Sequence, residues 1–173
     1  SFLADVLAQV DLGGAVTPLV LVCAFLSTVL MWWIYFHDGQ EEAADKAEEA
    51  VEPQTTADYL YTYGHLPIVA GIILTAVGED FAISHPTETG ELNYAAALLG
   101  GPILFLAGTM WMKTVSSGLI RWSHVAGICL AGASLLLVPH AENAVIQLAA
   151  TAILFFVAHW EYIALRRVRR SAA

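Results

Sequence analysis

Charged side chains are scarce in this sequence: they make up 13% of its 173 residues, whereas soluble domains carry about 25%. Hydrophobic residues make up 58% of the chain. A soluble fold of this length could not bury so much apolar surface, so we expect lipid to cover the excess. The composition therefore argues against an ordinary soluble domain and predicts an integral membrane protein.

The motifs of familiar enzymes are also missing from the sequence. It contains no nucleophile elbow, zinc-protease motif, P-loop or dinucleotide-binding fingerprint. Its two cysteines, Cys23 and Cys129, each stand alone in an apolar run, so neither a disulfide framework nor a zinc knuckle is indicated. We therefore expect no enzymatic activity, no cofactor and no nucleic-acid partner.

Five apolar segments are long enough to cross a bilayer. A helix needs about 20 residues to span a hydrocarbon core of about 30 Å. None of the segments shows the alternating pattern of a membrane β-barrel strand. The sequence thus predicts an all-α fold, a polytopic membrane bundle of about five transmembrane helices over residues 15–36, 59–83, 93–112, 119–138 and 142–165.

The basic residues indicate how these helices are oriented. If five helices alternate in direction, one side of the membrane receives all the basic residues: Lys46, Lys113, Arg121, Arg166, Arg167, Arg169 and Arg170. Tryptophans, which prefer the headgroup boundary, lie at the same helix ends. Because cytoplasmic loops are enriched in Lys and Arg, we expect the N-terminus outside and the C-terminus in the cytoplasm.

Three segments lie outside the predicted spans. Residues 1–14 form an amphipathic stretch that we expect on the outer surface. Residues 37–58 form an acidic cytoplasmic loop, which is either a solvated connector or a docking strip for a basic partner. Residues 166–173 form a basic cytoplasmic tail that anchors the topology beside anionic lipid.

Small residues predict where the helices pack. In the second span Gly64, Gly71 and Gly78 recur at seven-residue spacing and share one face. In the fourth span Gly127 lies midway between Ser123 and Ala131 on another face. Small residues let membrane helices approach closely, so both faces are predicted to be packing seams.

Ionisable residues inside the spans are the candidate functional residues. Such groups are costly in lipid and usually face protein or water. We interpret them as an ion or proton pathway formed by His65, Glu79, Asp80, His124 and His159. The three histidines are predicted to lie at one depth, where they could bind a metal or relay protons. The alternative is that each histidine bonds singly to a carbonyl or to interfacial water.

The third span contains Gly100, Gly101 and Pro102 in succession. Two glycines and a proline weaken a helix strongly. We expect either a kink that the neighbouring helices accommodate, which is the commoner outcome, or a helix break whose bared backbone could bind an ion or substrate.

Two stretches of the sequence resemble a known family. Residues 61–72, YTYGHLPIVAGI, resemble the Y-x-Y-x-H-L-P-[LIM]-V-x-G-I signature of the bacterial low temperature requirement A (LtrA) proteins. Residues 31–36, MWWIYF, are similar to that family's W-W-x-Y-F run, although His37 here precedes Asp38. The resemblance implies a multi-pass protein of the bacterial inner (plasma) membrane, linked by name to growth in the cold. It supplies no established biochemical activity and no residue roles.

The resemblance also indicates which part of a family member this chain corresponds to. Members of that family are longer, and the E-L-F-F-D-L-V-F-type motif of their N-terminal half is absent here. The chain begins with Ser1 rather than methionine. We therefore expect a C-terminal half or a shortened member of the family.

Three functions remain open from the sequence. The first is transport or permeation of an ion or small solute, which rests on the intramembrane ionisable residues and the interrupted third span. The second is a structural or accessory subunit of a membrane complex, which rests on the small-residue seams and the acidic loop. The third, a metal-dependent membrane enzyme, is the least favoured. The expected partners are the lipid bilayer and either further copies of this chain or other membrane subunits.

Overall fold

The computed structural model of the protein describes residues 16–37 and 63–171. No strand occurs among these residues. They contain five α-helices: α1 Val16–Phe36, α2 Gly64–Ser84, α3 Leu92–Ser117, α4 Trp122–Ser134 and α5 Asn143–Ser171. A 3₁₀ segment, Leu135–His140, continues α4. Each of the five is long and apolar enough to cross a membrane, α4 only together with its 3₁₀ continuation as the span Trp122–His140, so the predicted all-α fold of about five membrane helices is confirmed. The predicted surface segment 1–14 and loop residues 38–58 lie outside the described residues.

Two helices continue beyond the spans predicted from hydrophobicity. Helix α3 runs on to Ser117 and α5 to Ser171. Hydrophobicity predicts which residues of a helix lie within the hydrocarbon core. The helix itself continues until the backbone leaves helical dihedral angles. In α3 the turn is made by Gly118, whose φ of 72° lies in the left-handed region and whose N–H donates to the Thr114 carbonyl at 2.8 Å.

The helices alternate in direction and give the bundle two distinct ends. The end where α1 and α3 terminate contains Lys113, Arg121 and Arg166, and is called the basic end. The opposite end carries acidic residues on its turns, and is called the acidic end. There the turn between α2 and α3 is tied to the start of α5, because Asn143 Nδ2 donates to the His85 carbonyl at 2.7 Å.

Helices α2 and α3 pack against each other backbone to backbone. A Cβ atom on Gly71 would lie 2.5 Å from the Phe105 nitrogen, and one on Gly78 would lie 2.5 Å from the Leu98 Cα. Gly64 is different, because a Cβ there would meet Met112 side-chain atoms at an ordinary 3.7 Å. Two of the three glycines on this predicted seam therefore permit the close approach.

The helix break predicted as one outcome for the third span is absent, because α3 continues as a helix through Gly100, Gly101 and Pro102. The glycine beside the proline has a packing role instead. A Cβ atom on Gly101 would lie 2.5 Å from the Thr75 nitrogen, so Gly101 lets α2 approach α3. The alternative of a proline tolerated within a membrane helix describes this segment better.

Candidate functional site

Four polar side chains meet inside the bundle nearer its acidic end, between α1, α2 and α5. Gln147 Nε2 donates to Glu79 Oε1 at 3.2 Å and lies 3.5 Å from the Ser27 hydroxyl. The Ser27 and Thr151 hydroxyls share a hydrogen bond of 2.9 Å. We call Ser27, Glu79, Gln147 and Thr151 the Glu79 cluster. All four are buried.

The sequence places this cluster through helix spacing. Gln147 and Thr151 are four residues apart on α5 and so lie one above the other on one face. The Thr151 hydroxyl lies 3.0 Å from the Gln147 carbonyl on its own helix and 3.3 Å from the Cys23 carbonyl on α1, so these two acceptors compete for its proton. The side-chain oxygen Oε1 of Gln147 is buried and has no hydrogen-bond partner within residues 16–37 and 63–171. A buried acceptor without a donor is costly, so Oε1 is the atom of this cluster that a further donor would stabilise.

A second polar cluster lies nearer the basic end and carries opposite charges. Lys113 Nζ contacts both carboxylate oxygens of Glu161, at 3.1 and 3.0 Å, and donates to the Ile34 carbonyl at 2.9 Å. Lys113 is 1% exposed and Glu161 4% exposed. Their attraction in this low-dielectric setting offsets part of the cost of removing both charges from water. The pair also ties α3 and α5 to the end of α1.

His124 completes this second cluster, which we call the Lys113–Glu161 cluster. Its Nδ1 lies 3.5 Å from Glu161 Oε1 and 3.3 Å from the Ser123 hydroxyl. The ring is fully buried, and its Nε2 has no hydrogen-bond partner in the described part of the chain. The imidazole therefore connects α4 to the ion pair between α3 and α5.

Apolar side chains separate the two clusters. Phe105, Leu106, Leu154 and Val157 are all fully buried between them. On α5 the ten residues from Thr151 to Glu161 correspond to about 15 Å at a rise of 1.5 Å per residue. The two clusters are therefore separate sites within the described bundle.

A cavity of about 430 Å³ opens between α1 and α2. Its wall is mainly apolar and includes Ile68, Ile72 and Phe105, whereas His65 and Glu79 bring ionisable groups to it. At the His65 end, the Tyr35 hydroxyl lies 2.6 Å from His65 Nε2. The volume lies within the range of about 300–1,000 Å³ that small-molecule sites occupy.

The structure distributes the five predicted pathway residues over different environments. His65 and Glu79 line the cavity together. His124 belongs to the Lys113–Glu161 cluster. Asp80 and His159 are exposed on the outside of the bundle, where His159 stacks on Phe155 with ring centroids 5.9 Å apart.

The three histidines predicted at one depth do not form a metal site with one another. Within residues 16–37 and 63–171, no three His, Cys, Asp or Glu side chains come close enough to hold a metal ion. His65 bonds to Tyr35 and His124 lies against Glu161, while His159 faces outward. The alternative, a single bond from each histidine to a carbonyl or to interfacial water, stays a prediction, because the partner observed for His65 is the Tyr35 hydroxyl.

Sequence reasoning missed the Lys113–Glu161 pair. Lys113 follows the apolar run of the third span, and that position predicts a boundary charge on the cytoplasmic side. The two residues are 48 positions apart, and no local spacing rule joins them. The sequence offers one signal for this pair: Lys113 and Glu161 carry opposite charges and lie near the ends of two spans that are predicted to end on the same side of the membrane.

Gly127 lies on α4 where the predicted seam meets its neighbours. A Cβ atom there would lie 2.5 Å from Val157 Cγ2 and 2.9 Å from Leu106 Cδ1. These atoms are side-chain ends, whereas the atoms opposite Gly71 and Gly78 include backbone. Gly127 therefore lets α4 approach the side chains of α3 and α5 one turn after His124.

Comparisons with known proteins agree with the sequence motifs. The family model described as bacterial low temperature requirement A protein (LtrA) matches residues 3–159. The chain is 65% identical over 157 residues to the uncharacterized protein RA0937 of Rhizobium meliloti (strain 1021). The match covers 91% of this chain but 38% of that relative's length. No solved structure matches the chain significantly.

Proposed function

The chain belongs to the bacterial low temperature requirement A family and is an integral, multi-pass membrane protein; we propose that it carries an ion or small solute across the bilayer. The carboxylate of Glu79 is the binding group in this proposal, and His65 serves the same pathway. The chain spans 38% of the length of the curated relative it matches, so the proposal refers to the whole protein. The proposed role involves no catalysis.

One observation carries this proposal: Glu79 lies within a membrane span, is 8% exposed and borders a cavity. A carboxylate inside a membrane is costly and usually serves a pathway. Gln147 Nε2 donates to Glu79 Oε1 and so restrains the carboxylate at the cavity wall. Because the amide is uncharged, this hydrogen bond does not neutralise the carboxylate. Such a group can exchange a proton or a small cation with a passing solute.

The same cavity is lined by a second ionisable residue of α2, His65. His65 and Glu79 are separated by fourteen residues, or about 21 Å at 1.5 Å per residue. Imidazole can accept and release protons near neutral pH. The two groups at the ends of one cavity are therefore suited to receiving a proton or cation at one depth and releasing it at another.

We further propose that the bacterial inner membrane holds this chain with its basic end in the cytoplasm. Arg121 and Arg166 lie at that end, whereas Glu88, Glu91 and Glu142 lie at the other. This distribution supports a cytoplasmic C-terminus, because Lys and Arg are enriched in cytoplasmic loops. The acidic end would then face outward.

A flux assay on the full-length protein in proteoliposomes tests the transport proposal. We expect Glu79→Gln to lower proton or monovalent-cation flux on the order of tenfold or more, because the pathway loses its carboxylate. His65→Ala should lower it as well. The matched control is Glu91→Gln, which removes an exposed carboxylate just outside the span of α3 and should leave flux unchanged.

The proposal fails if both Glu79→Gln and His65→Ala transport at the wild-type rate. It also fails if Glu91→Gln reduces flux as strongly as Glu79→Gln, since surface charge would then explain the effect. Monodisperse elution of each variant in detergent excludes misfolding as the cause of a loss.

The second candidate is an accessory subunit of a membrane complex, without transport of its own. The specific observation in its favour is the broad apolar surface of α1 and α2, where Phe25 and Leu66 are among the most exposed large side chains. Either lipid or another protein, including a second copy of the chain, could cover that surface. Reconstituted protein without measurable flux that purifies with a stoichiometric membrane partner would favour this role.

A further inference from the structure

The cavity between α1 and α2 is lined in part by residues that are exposed on the outside of the described bundle. Its rim contains Trp32, Val69 and Ile72, which are 60%, 50% and 44% exposed. These residues lie within the spans of α1 and α2. In a bilayer, apolar side chains exposed at this depth face acyl chains, so a molecule entering here arrives dissolved in lipid.

The cavity has a long apolar wall and a polar end, and these two parts match the chain and the head group of an amphiphile. Most of the wall is apolar, with Ile68, Val69, Ile72 and Phe105 among its members. The Tyr35 and His65 pair, at the basic end of the cavity, is only partly buried. Tyr35 is the penultimate residue of α1 and His65 the second residue of α2, so the pair lies close to the membrane boundary. Polar head groups also occupy that level.

We infer that this cavity binds a single-chain membrane amphiphile with a hydrogen-bonding oxygen in its head group, and that the head lies beside Tyr35 and His65. The chain follows the wall of α2 toward Glu79. A volume of about 430 Å³ is near the lower end of the range for small-molecule sites, which suits one chain better than the two of a phospholipid.

The inference goes beyond the proposed transport of ions or small solutes. Binding of an amphiphile requires only the cavity and its lateral opening, whether or not anything crosses the membrane. A protein that shows no flux could still hold this ligand, and a transporting protein could lack it. Binding and flux are read out separately, so failure of one leaves the other to be judged on its own.

Photolabelling of the full-length protein in phosphatidylcholine nanodiscs tests this site. The probe is a hexadecanol analogue with a photoreactive diazirine in its chain. We expect saturable labelling that peptide mass spectrometry maps to the facing surfaces of α1 and α2. Unlabelled hexadecanol should compete, whereas hexadecane at the same mole fraction should compete poorly because it has no oxygen for the Tyr35–His65 pair.

Two alanines on α2 provide a matched pair of variants. Ala76 and Ala70 are both exposed, but only Ala76 lines the cavity. We expect Ala76→Trp to fill the cavity and reduce saturable labelling at least about tenfold, whereas Ala70→Trp should label like the wild type. Tyr35→Phe removes the hydroxyl and should weaken binding by about three- to tenfold, the usual contribution of one hydrogen bond.

Three results would overturn the inference. Labelling spread evenly around the bundle would show ordinary contact with bulk lipid. Labelling unaffected by Ala76→Trp would place the probe outside the cavity. An absence of labelling on α1 and α2, with cross-links to another segment of the full-length protein there instead, would show that protein covers the opening.

Discussion

Replacing Lys113 with methionine is expected to lower the free energy of unfolding of the bundle by about 3–5 kcal/mol. The substitution keeps the apolar stem but leaves the carboxylate of Glu161, which is 4% exposed, without its cation. The Ile34 carbonyl also loses its donor. An uncompensated charge in this setting costs far more than the pair contributes when intact. Equilibrium unfolding in mixed micelles, followed by far-UV circular dichroism, measures the loss.

The double variant Lys113→Met with Glu161→Met separates this explanation from simple loss of packing. If the single variant is unstable because Glu161 is stranded, removing both charges should restore most of the stability. Arg166→Met is the matched surface control, because Arg166 is an exposed cation at the same end of the bundle. A double variant no more stable than Lys113→Met would contradict the account. A control as damaging as Lys113→Met would do so too.

The second large effect is expected at Gly78, where alanine should destabilise the bundle by about 1–3 kcal/mol. The added methyl would lie 2.5 Å from both the nitrogen and the Cα of Leu98, so the backbones of α2 and α3 must move apart. Side-chain rotation cannot relieve a contact with backbone atoms. The same unfolding assay applies, with the midpoint compared at constant detergent.

Gly64 provides the control on the same face of the same helix. A methyl group there would meet Met112 side-chain atoms at 3.7 Å or more, which is ordinary van der Waals contact. Gly64→Ala should therefore be neutral or stabilise the helix by up to about 1 kcal/mol, the propensity difference between the two residues. Equal losses at Gly64 and Gly78 would show that the seam does not depend on the close approach described for Gly78.

The membrane helices could be predicted from the sequence because their signal is local. Each span needs only about 20 apolar residues in succession, and lipid leaves the backbone little choice but a helix. The packing face of α2 followed from the spacing of its glycines for the same reason. Spacing could not show that Gly64 faces a flexible Met112 while Gly78 faces backbone, because that depends on what lies opposite.

The buried polar groups were harder to predict because they depend on how each helix is rotated about its axis. The similar depth of His65, His124 and His159 along their spans predicts that the three side chains converge. The rotation of each helix about its axis instead turns His159 outward and His124 toward Glu161. The same dependence concealed Lys113, which occupies the end of an apolar run yet turns inward to meet α5. At Gly101 the sequence correctly marked an unusual position, but close packing against Thr75 takes the place of a helix break.

Thiol accessibility in intact cells tests the central claim, a five-span bundle with its basic end in the cytoplasm, most directly. In a full-length background from which every cysteine, Cys23 and Cys129 included, has been replaced, single cysteines at Glu91 and Leu119 report the two ends, because both positions are exposed between helices. A membrane-impermeant maleimide should label Glu91→Cys in intact cells and Leu119→Cys only after permeabilisation. Labelling of Leu119→Cys in intact cells, or of both positions alike, would contradict the account.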